Sequence, residues 1–320
     1  MSEEPAVFAD PRPVAAALPD ERRIALIANR KSGTNARDRD AITRATDAFG
    51  RARTRLYTWS PDTDIAGLVD RALDEGADTI IAAGGDGTAM AVAGAMVGRD
   101  AAFGVLPLGT FNFFARGLGL PEDPAEAARV LASARAHPIH VGTVNGRVFL
   151  NNASLGIYPA VLKMRESVYA RYGRRRIMAH WSVVKSFLRF QRPMHLTIET
   201  EDETRLARTP LLFVSRSAYQ LDAFGLKGAG AIADDAFAVL IARGETRADL
   251  FRSAARLVTR TAVEGRDYDL IHARQLTVHT RRSRALLAYD GEKARAPSPF
   301  AFRMSDQPLT ILLPQVRPTA

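Results

Sequence analysis

The sequence predicts an α/β domain followed by a β-rich domain. Strand and helix signals alternate up to about residue 136, strand-like runs dominate beyond it, and glycine-rich or polar turns end the early strands. Such alternation implies βαβ units and a parallel, doubly wound sheet, in which ligands bind at the carboxyl ends of strands.

In chain order, "RRIALIAN" reads as a strand and Ala36 to Phe49 has helical spacing. "RTRLYTW" is a second strand, and Asp62 to Gly76 a helix that stops on glycine. "DTIIAAGG" and "AAFGVLPLG" are short apolar runs of the kind a sheet covered on both faces buries, with a small-residue helix from Ala89 to Met96 between them. "PEDPAEAARVLASARA" adds a helix capped near Asp123, with Pro124 in its first turn. From His137 the pattern changes to hairpins, with Asn145-Gly146 as a turn. A basic helical stretch runs to Arg189. "MHLTIETEDETRLARTPLLFVS", "AFAVLIARG", "RQLTVHTRRSRALLAYDGE" and "PLTILLP" are strand-like, broken by a helix from Arg247 to Thr259. These strands predict a β-sandwich. The expected division is a disordered leader over 1–21, a nucleotide-binding α/β domain over 22–140 and a β-rich domain over 141–311. Residues 312–320 form a tail that returns to the first domain.

Composition narrows the class. Hydrophobic content of 47% with 25% charged residues suits a soluble globular chain, and no apolar run reaches membrane-spanning length uninterrupted. The acidic, proline-containing start lacks the basic region of a signal peptide. Zero cysteines exclude disulfides, thiolate metal sites and cysteine nucleophiles, and suit a cytoplasmic protein. The net charge of +9 is concentrated: residues 163–192 hold nine Lys/Arg against Glu166, so the remainder is nearly balanced. Tyr169, Tyr172, Trp181, Phe187 and Phe190 lie among those arginines, a composition suited to an interfacial helix on an anionic membrane. A solvated face of a core helix is the plainer alternative. No nucleic-acid module is recognisable, so the charge is not assigned to nucleic acid.

The chemistry centres on Gly84-Gly85-Asp86-Gly87-Thr88, a turn between a strand and a helix. Backbone N–H groups and a helix N-terminus there attract phosphate, and Asp86 can act through a divalent cation. The plain alternative is a tight turn with a solvated aspartate. Two more turns fall at the same predicted sheet edge. "NRKSG" offers Ser32 and Gly33 to a phosphate or ribose, and "PLGTFNFFARGLGLP" offers the Thr110 hydroxyl and the Asn112 amide.

With these motifs the sequence resembles the diacylglycerol-kinase-type lipid kinases, which include sphingosine and ceramide kinases and bacterial soluble lipid kinases. The resemblance runs over residues 23–314 and is carried by "NRKSG", "GGDGT", "PLGTFNFFAR", "NNASLG" and "DGE" at 290–292. GGDGT is shared with NAD kinases and phosphofructokinase-like enzymes; the PLGT and DGE elements favour the lipid kinases. The resemblance implies a phosphofructokinase/NAD-kinase-like nucleotide domain, a β-rich lipid domain, and an active site between them. It implies ATP contacts from Asn29, Thr58, the 84–90 loop and Thr110. Glu292 would be the catalytic base, with Asp290 beside it and Mg2+ near Asp86. It also implies a structural Mg2+ on Asp235 and the carbonyls of Ile232 and Phe237, although the family has glycine where this chain has Ala236. Arg30 replaces a proline, and Phe113 stands where diacylglycerol kinases carry an aspartate. Phe113 tilts the expected acceptor from diacylglycerol towards ceramide or a sphingoid base.

The resulting expectation is an ATP-dependent lipid kinase that phosphorylates a primary hydroxyl, docks on the inner face of the membrane through 163–192, and pairs β-rich edges into a homodimer. The rivals are an NAD kinase, which lacks support from an Asn-Glu pair, and a non-catalytic lipid- or nucleotide-binding protein, motivated by Phe113 and Ala236.

Overall fold

A computed structural model describes residues 22–29, 40–60, 62–156 and 193–315. The described residues divide into two units, one within 22–141 together with 305–315 and one within 142–304. The leader, Arg30, Ser32, Gly33 and the basic segment 163–192 lie outside the described residues.

The first unit is built on a six-stranded sheet. Its strands are β1 (Ile24–Asn29), β2 (Thr54–Trp59), β3 (Thr79–Gly84), β4 (Ala102–Pro107), β5 (Arg135–Ile139) and, from the far end of the chain, β18 (Leu309–Leu313). The order is β2-β1-β3-β4-β18-β5, parallel from β2 to β18 and antiparallel between β18 and β5. All six residues of β3 and of β4 are buried, as continuous apolar runs in a sheet covered on both faces should be. The cover consists of α1 (Ala41–Phe49), α2 (Ile65–Asp74), α3 (Asp86–Met96) and α5 (Pro124–Ala132), with α1 packed on α5 and α2 on α3. The short α4 (Phe113–Gly117) touches α3 and β4. Caps fix the helix starts: Asp64 accepts from the Ala66 amide and Asp123 from the Glu126 amide, each worth about 1 kcal/mol. Gly76 follows α2 in the left-handed region at φ 92°.

Two details differ from the sequence expectation. The 135–139 run, where the hairpin pattern is expected to begin at His137, instead pairs as a strand of the first sheet. The chain also re-enters the first unit at Ser305, ahead of the expected 312. Both follow from one non-local pairing, in which Ile311 lies opposite His137 on one side and Phe103 on the other. Local pattern carries no information about that partner.

The second unit is an antiparallel sandwich. One sheet, in the order β10-β9-β14-β17-β6-β7, contains β6 (Gly142–Val144), β7 (Arg147–Phe149), β9 (Met194–Thr200), β10 (Thr204–Thr209), β14 (Leu276–Thr280) and β17 (Phe300–Met304). The other, β13-β12-β11-β8-β15-β16, contains β8 (Asn152–Gly156), β11 (Leu211–Ser215), β12 (Phe237–Ala242), β13 (Tyr268–Ala273), β15 (Arg284–Tyr289) and β16 (Glu292–Pro297). Their facing side chains, among them Phe149, Leu155, Ile198, Val239, Leu287, Phe300 and Phe302, make one buried core. Each such aromatic contributes about 2–3 kcal/mol by burial. Asn145-Gly146 turns β6 into β7, both residues at positive φ, as a two-residue hairpin requires. On the outer face of the second sheet, α6 (Ala218–Ala223) and α7 (Ala229–Ala233) pack over β11 and β12 and bury Leu221, Ile232, Ala238 and Leu240. The sequence reading contains neither helix. It does contain α8 (Arg247–Val258), whose Thr246–Asp249 capping box closes the start.

Candidate active site

β3 and β4 are neighbours in parallel register, Gly84 opposite Pro107, so the turns that follow them emerge side by side. The Leu108 amide donates to the Gly84 carbonyl at 2.9 Å. Gly85 caps α3 at an ordinary φ of −91°, so its glycine is required by space and not by backbone angle. The space is taken by Gly109. A Cβ on Gly85 would lie 3.1 Å from the Gly109 Cα, and one on Gly109 would lie 2.6 Å from Asn112 Oδ1 and press on the Gly85 backbone. Gly84 is barred from a side chain by Thr88, which is buried over it. What approaches the glycine turn most closely is therefore the neighbouring turn.

Asp86 joins the same lock. Its carboxylate accepts from the Phe114 amide at 3.1 Å. Burial raises its pKa above the ordinary carboxylate value, opposed by the amides of Phe114, Phe113, Asp86 and Asn112. The acid expected beside Mg2+ thus faces main-chain donors of the 112–114 turn and ties that turn to its own. The Asn112 amide is also engaged. With the backbone left-handed at φ 51°, its Oδ1 accepts from the Gly109 amide at 2.8 Å and its Nδ2 donates to the Gly109 carbonyl at 3.3 Å. Asparagine tolerates that conformation better than most residues. Thr110 and Thr58 are exposed, Asn29 ends β1 opposite Trp59, and the Phe111 and Phe113 rings stack with centroids 5.6 Å apart.

In the second unit, Asp290-Gly291 is the two-residue turn between β15 and β16, at φ 45° and 91°. Glu292 opens β16, exposed and opposite Tyr289. Asp290 points inward at 6% exposure and accepts from three successive amides, those of Leu150, Asn151 (2.8 Å) and Asn152 (3.0 Å). A carboxylate so engaged is a positioning group, which separates Asp290 from the catalytic role expected of it. The corner it holds carries Asn151, Asn152 and Ser154, all buried. Asn152 Nδ2 donates to Gln220 Oε1 at 2.9 Å, whereas Asn151 Oδ1, Asn152 Oδ1 and Ser154 Oγ find no hydrogen-bond partner among the described residues. Buried polar atoms are ordinarily satisfied, so three within four residues mark a place prepared for something polar.

The expected metal ligands behave differently. Asp235, at φ 56°, gives its Oδ1 and Ile232 its carbonyl to the guanidinium of Arg216, while Phe237, whose carbonyl was the third expected ligand, starts β12 opposite Ala273. Sequence reasoning missed Arg216, because a lone arginine in "VSRSAY" gives no signal. Gly109 stands within the PLGT motif, and nothing local to that motif marks it as the partner of Gly85.

Residues 23–144 match the family profile of the diacylglycerol kinase catalytic domain. The match includes both interlocked turns and ends with the last residue of β6. Curated relatives agree with the match. A protein of Pseudomonas aeruginosa named "Probable lipid kinase YegS-like" is 42% identical over 139 residues, which cover 43% of this chain and 45% of the relative. Its namesake in Cronobacter sakazakii is 38% identical over 135 residues, covering 41% and 44%. The chain thus spans a little under half the length of the curated relatives it matches. Likeness of fold extends further. The crystal structure titled as a diacylglycerol kinase from Bacillus anthracis str. Sterne superposes with a TM-score of 0.62 over 91% of this chain and 97% of that one, at 15% identity.

Proposed function

We propose that the protein is an ATP-dependent lipid kinase that transfers the γ-phosphoryl group to a lipid's primary hydroxyl. The observation that carries this reading is the interlock of the 84–88 and 109–114 turns at the carboxyl ends of β3 and β4, within the kinase-family stretch. It presents the N-terminus of an eleven-residue helix at a fixed place, with Thr110 exposed beside it, and amides of a first helical turn suit phosphate oxygens. Phosphoryl transfer asks for positioning and charge neutralisation, which rigid turns supply.

Glu292, exposed at a turn pinned by Asp290, is the group we assign to accept the hydroxyl proton. The unpartnered oxygens of Asn151, Asn152 and Ser154, at the corner Asp290 holds, suit the polar head of the acceptor. A divalent ion would supply neutralisation of the charge that develops on the phosphates. Asp86 is turned to the 112–114 amides, and no cluster of three His, Cys, Asp or Glu exists among the described residues, so ATP's own oxygens are assigned to carry that ion. Phe113 offers no acceptor for ion or proton, which ranks ceramide or a sphingoid base ahead of diacylglycerol. No helix among the described residues is long and apolar enough to cross a membrane. We therefore assign membrane docking to the basic, aromatic segment 163–192, which liposome binding of a variant neutralised at Arg174, Arg175 and Arg176 would test.

The deciding experiment offers diacylglycerol, ceramide, sphingosine and NAD separately with labelled ATP and Mg2+. Label is expected on a lipid, with Glu292→Gln lowering kcat by about 10²–10⁴ at unchanged melting temperature. Label on NAD makes the protein an NAD kinase. Nucleotide binding without any product makes it a binding protein.

A further inference from the structure

The family resemblance places a divalent cation against Asp235 and the carbonyls of Ile232 and Phe237. Those acceptors are of the right kind for a hard metal, since one carboxylate and main-chain oxygens are what such ions take. The structure fills the position with a side chain. Arg216 follows the last residue of β11 and is 4% exposed. Its Nη2 donates to Asp235 Oδ1, and its Nη1 reaches the carbonyls of Ile232 at 3.3 Å and Ala236 at 3.5 Å. A guanidinium has the fan of donors and the permanent charge to serve several acceptors at once. An added dication at Asp235 would meet like charge at close range. The residues present therefore do not fit the metal.

We propose that Arg216 is this chain's built-in replacement for the family's structural cation, and that the corner joining α7 to β12 is independent of metal. One end of the strut is Asp235, left-handed at φ 56°, where the chain turns from α7 into β12. At the other end, the Arg216 amide donates to the Asn151 carbonyl at 2.8 Å, and Asn151 is one of the residues Asp290 holds. The guanidinium thus braces the corner that supports the 290–292 turn, and it does so whatever reaction occurs there. Burial lowers the Arg216 pKa and Asp235 raises it; an arginine that begins so far above neutrality remains charged.

Thermal melts of the nucleotide-free full chain, in EDTA and in millimolar Mg2+, test the proposal. Wild type is expected to melt at the same temperature in both. Arg216→Ala is expected to melt about 5 °C lower in both, because it empties the space of a buried guanidinium and takes the donor from the Ile232 and Ala236 carbonyls. A wild-type rise with Mg2+ that Asp235→Asn abolishes overturns the proposal, as does an Arg216→Ala protein that melts like wild type. A rise that survives Asp235→Asn belongs to another site and supports a metal-free corner. Should Arg216→Ala fail to fold, the wild-type and Asp235→Asn melts still decide.

Discussion

Gly85 and Gly109 stand backbone to backbone, with a Cβ on the first only 3.1 Å from the Cα of the second. Each residue belongs to a turn that ends a different strand, and neither turn keeps its shape if the other moves. A Gly109→Ala protein is expected to lose about 1–3 kcal/mol of stability and to bind ATP more weakly, because its methyl forces the turns apart. Calorimetric titration with ATP and a urea melt measure both. Gly230→Ala, in open space on α7, serves as the control and should melt at or above wild type.

Asp86 gives a sharper test of how the turns are held. Removing the acceptor in Asp86→Ala leaves the Phe114 amide unmatched and should cost about 1–3 kcal/mol. Asp86→Asn keeps an oxygen for that amide and should retain most of the stability. It should also leave the Mg2+ dependence of ATP binding intact. A large change in the Mg2+ requirement of Asp86→Asn would instead make the carboxylate a metal ligand.

Asp290 and Glu292 are two residues apart and should separate cleanly. Asp290→Ala is expected to destabilise the second unit by roughly 3 kcal/mol, since three amides lose a charged acceptor inside the protein. Glu292→Gln should leave the urea midpoint unchanged and lower turnover. Equal stability losses in the two variants would refute this division of labour.

Acid should loosen the start of α8. Four hydrogen bonds, led by that from the Thr246 hydroxyl, bring the Asp249 carboxyl down to about 2 from an ordinary 3.8. A lowered folded value means the stabilisation is complete above about pH 4–5 and disappears as the pH falls through 2. The melting temperature of Asp249→Asn should therefore change less than that of wild type between pH 5 and 2.

Much of this was legible in the sequence because its signals are local. The buried run of β3, the glycine turn after it, the Asn145-Gly146 hairpin and the capped α8 all announce themselves within a few residues. The chemistry of Asp86 was not legible. A carboxylate in a glycine loop looks like a metal ligand until its partner, the amide of Phe114, is seen folded back onto it from the next turn. Asp290 misled for the same reason, since its three amides lie where β7 passes into β8, 138 to 140 residues earlier in the chain. Arg216 gave no sign at all, because an arginine's meaning depends on which oxygens surround it.

The strand Leu309–Leu313 lies between β4 and β5, inside the sheet that carries the 84–88 and 109–114 turns. A fragment cut to the family-matched residues 23–144 would leave β4 and β5 with raw edges and a missing plank between them. During synthesis the first unit must likewise wait, the gap between β4 and β5 open, until Leu309–Leu313 has been made. The whole second unit is thus synthesised between the strands that open that sheet and the one that completes it.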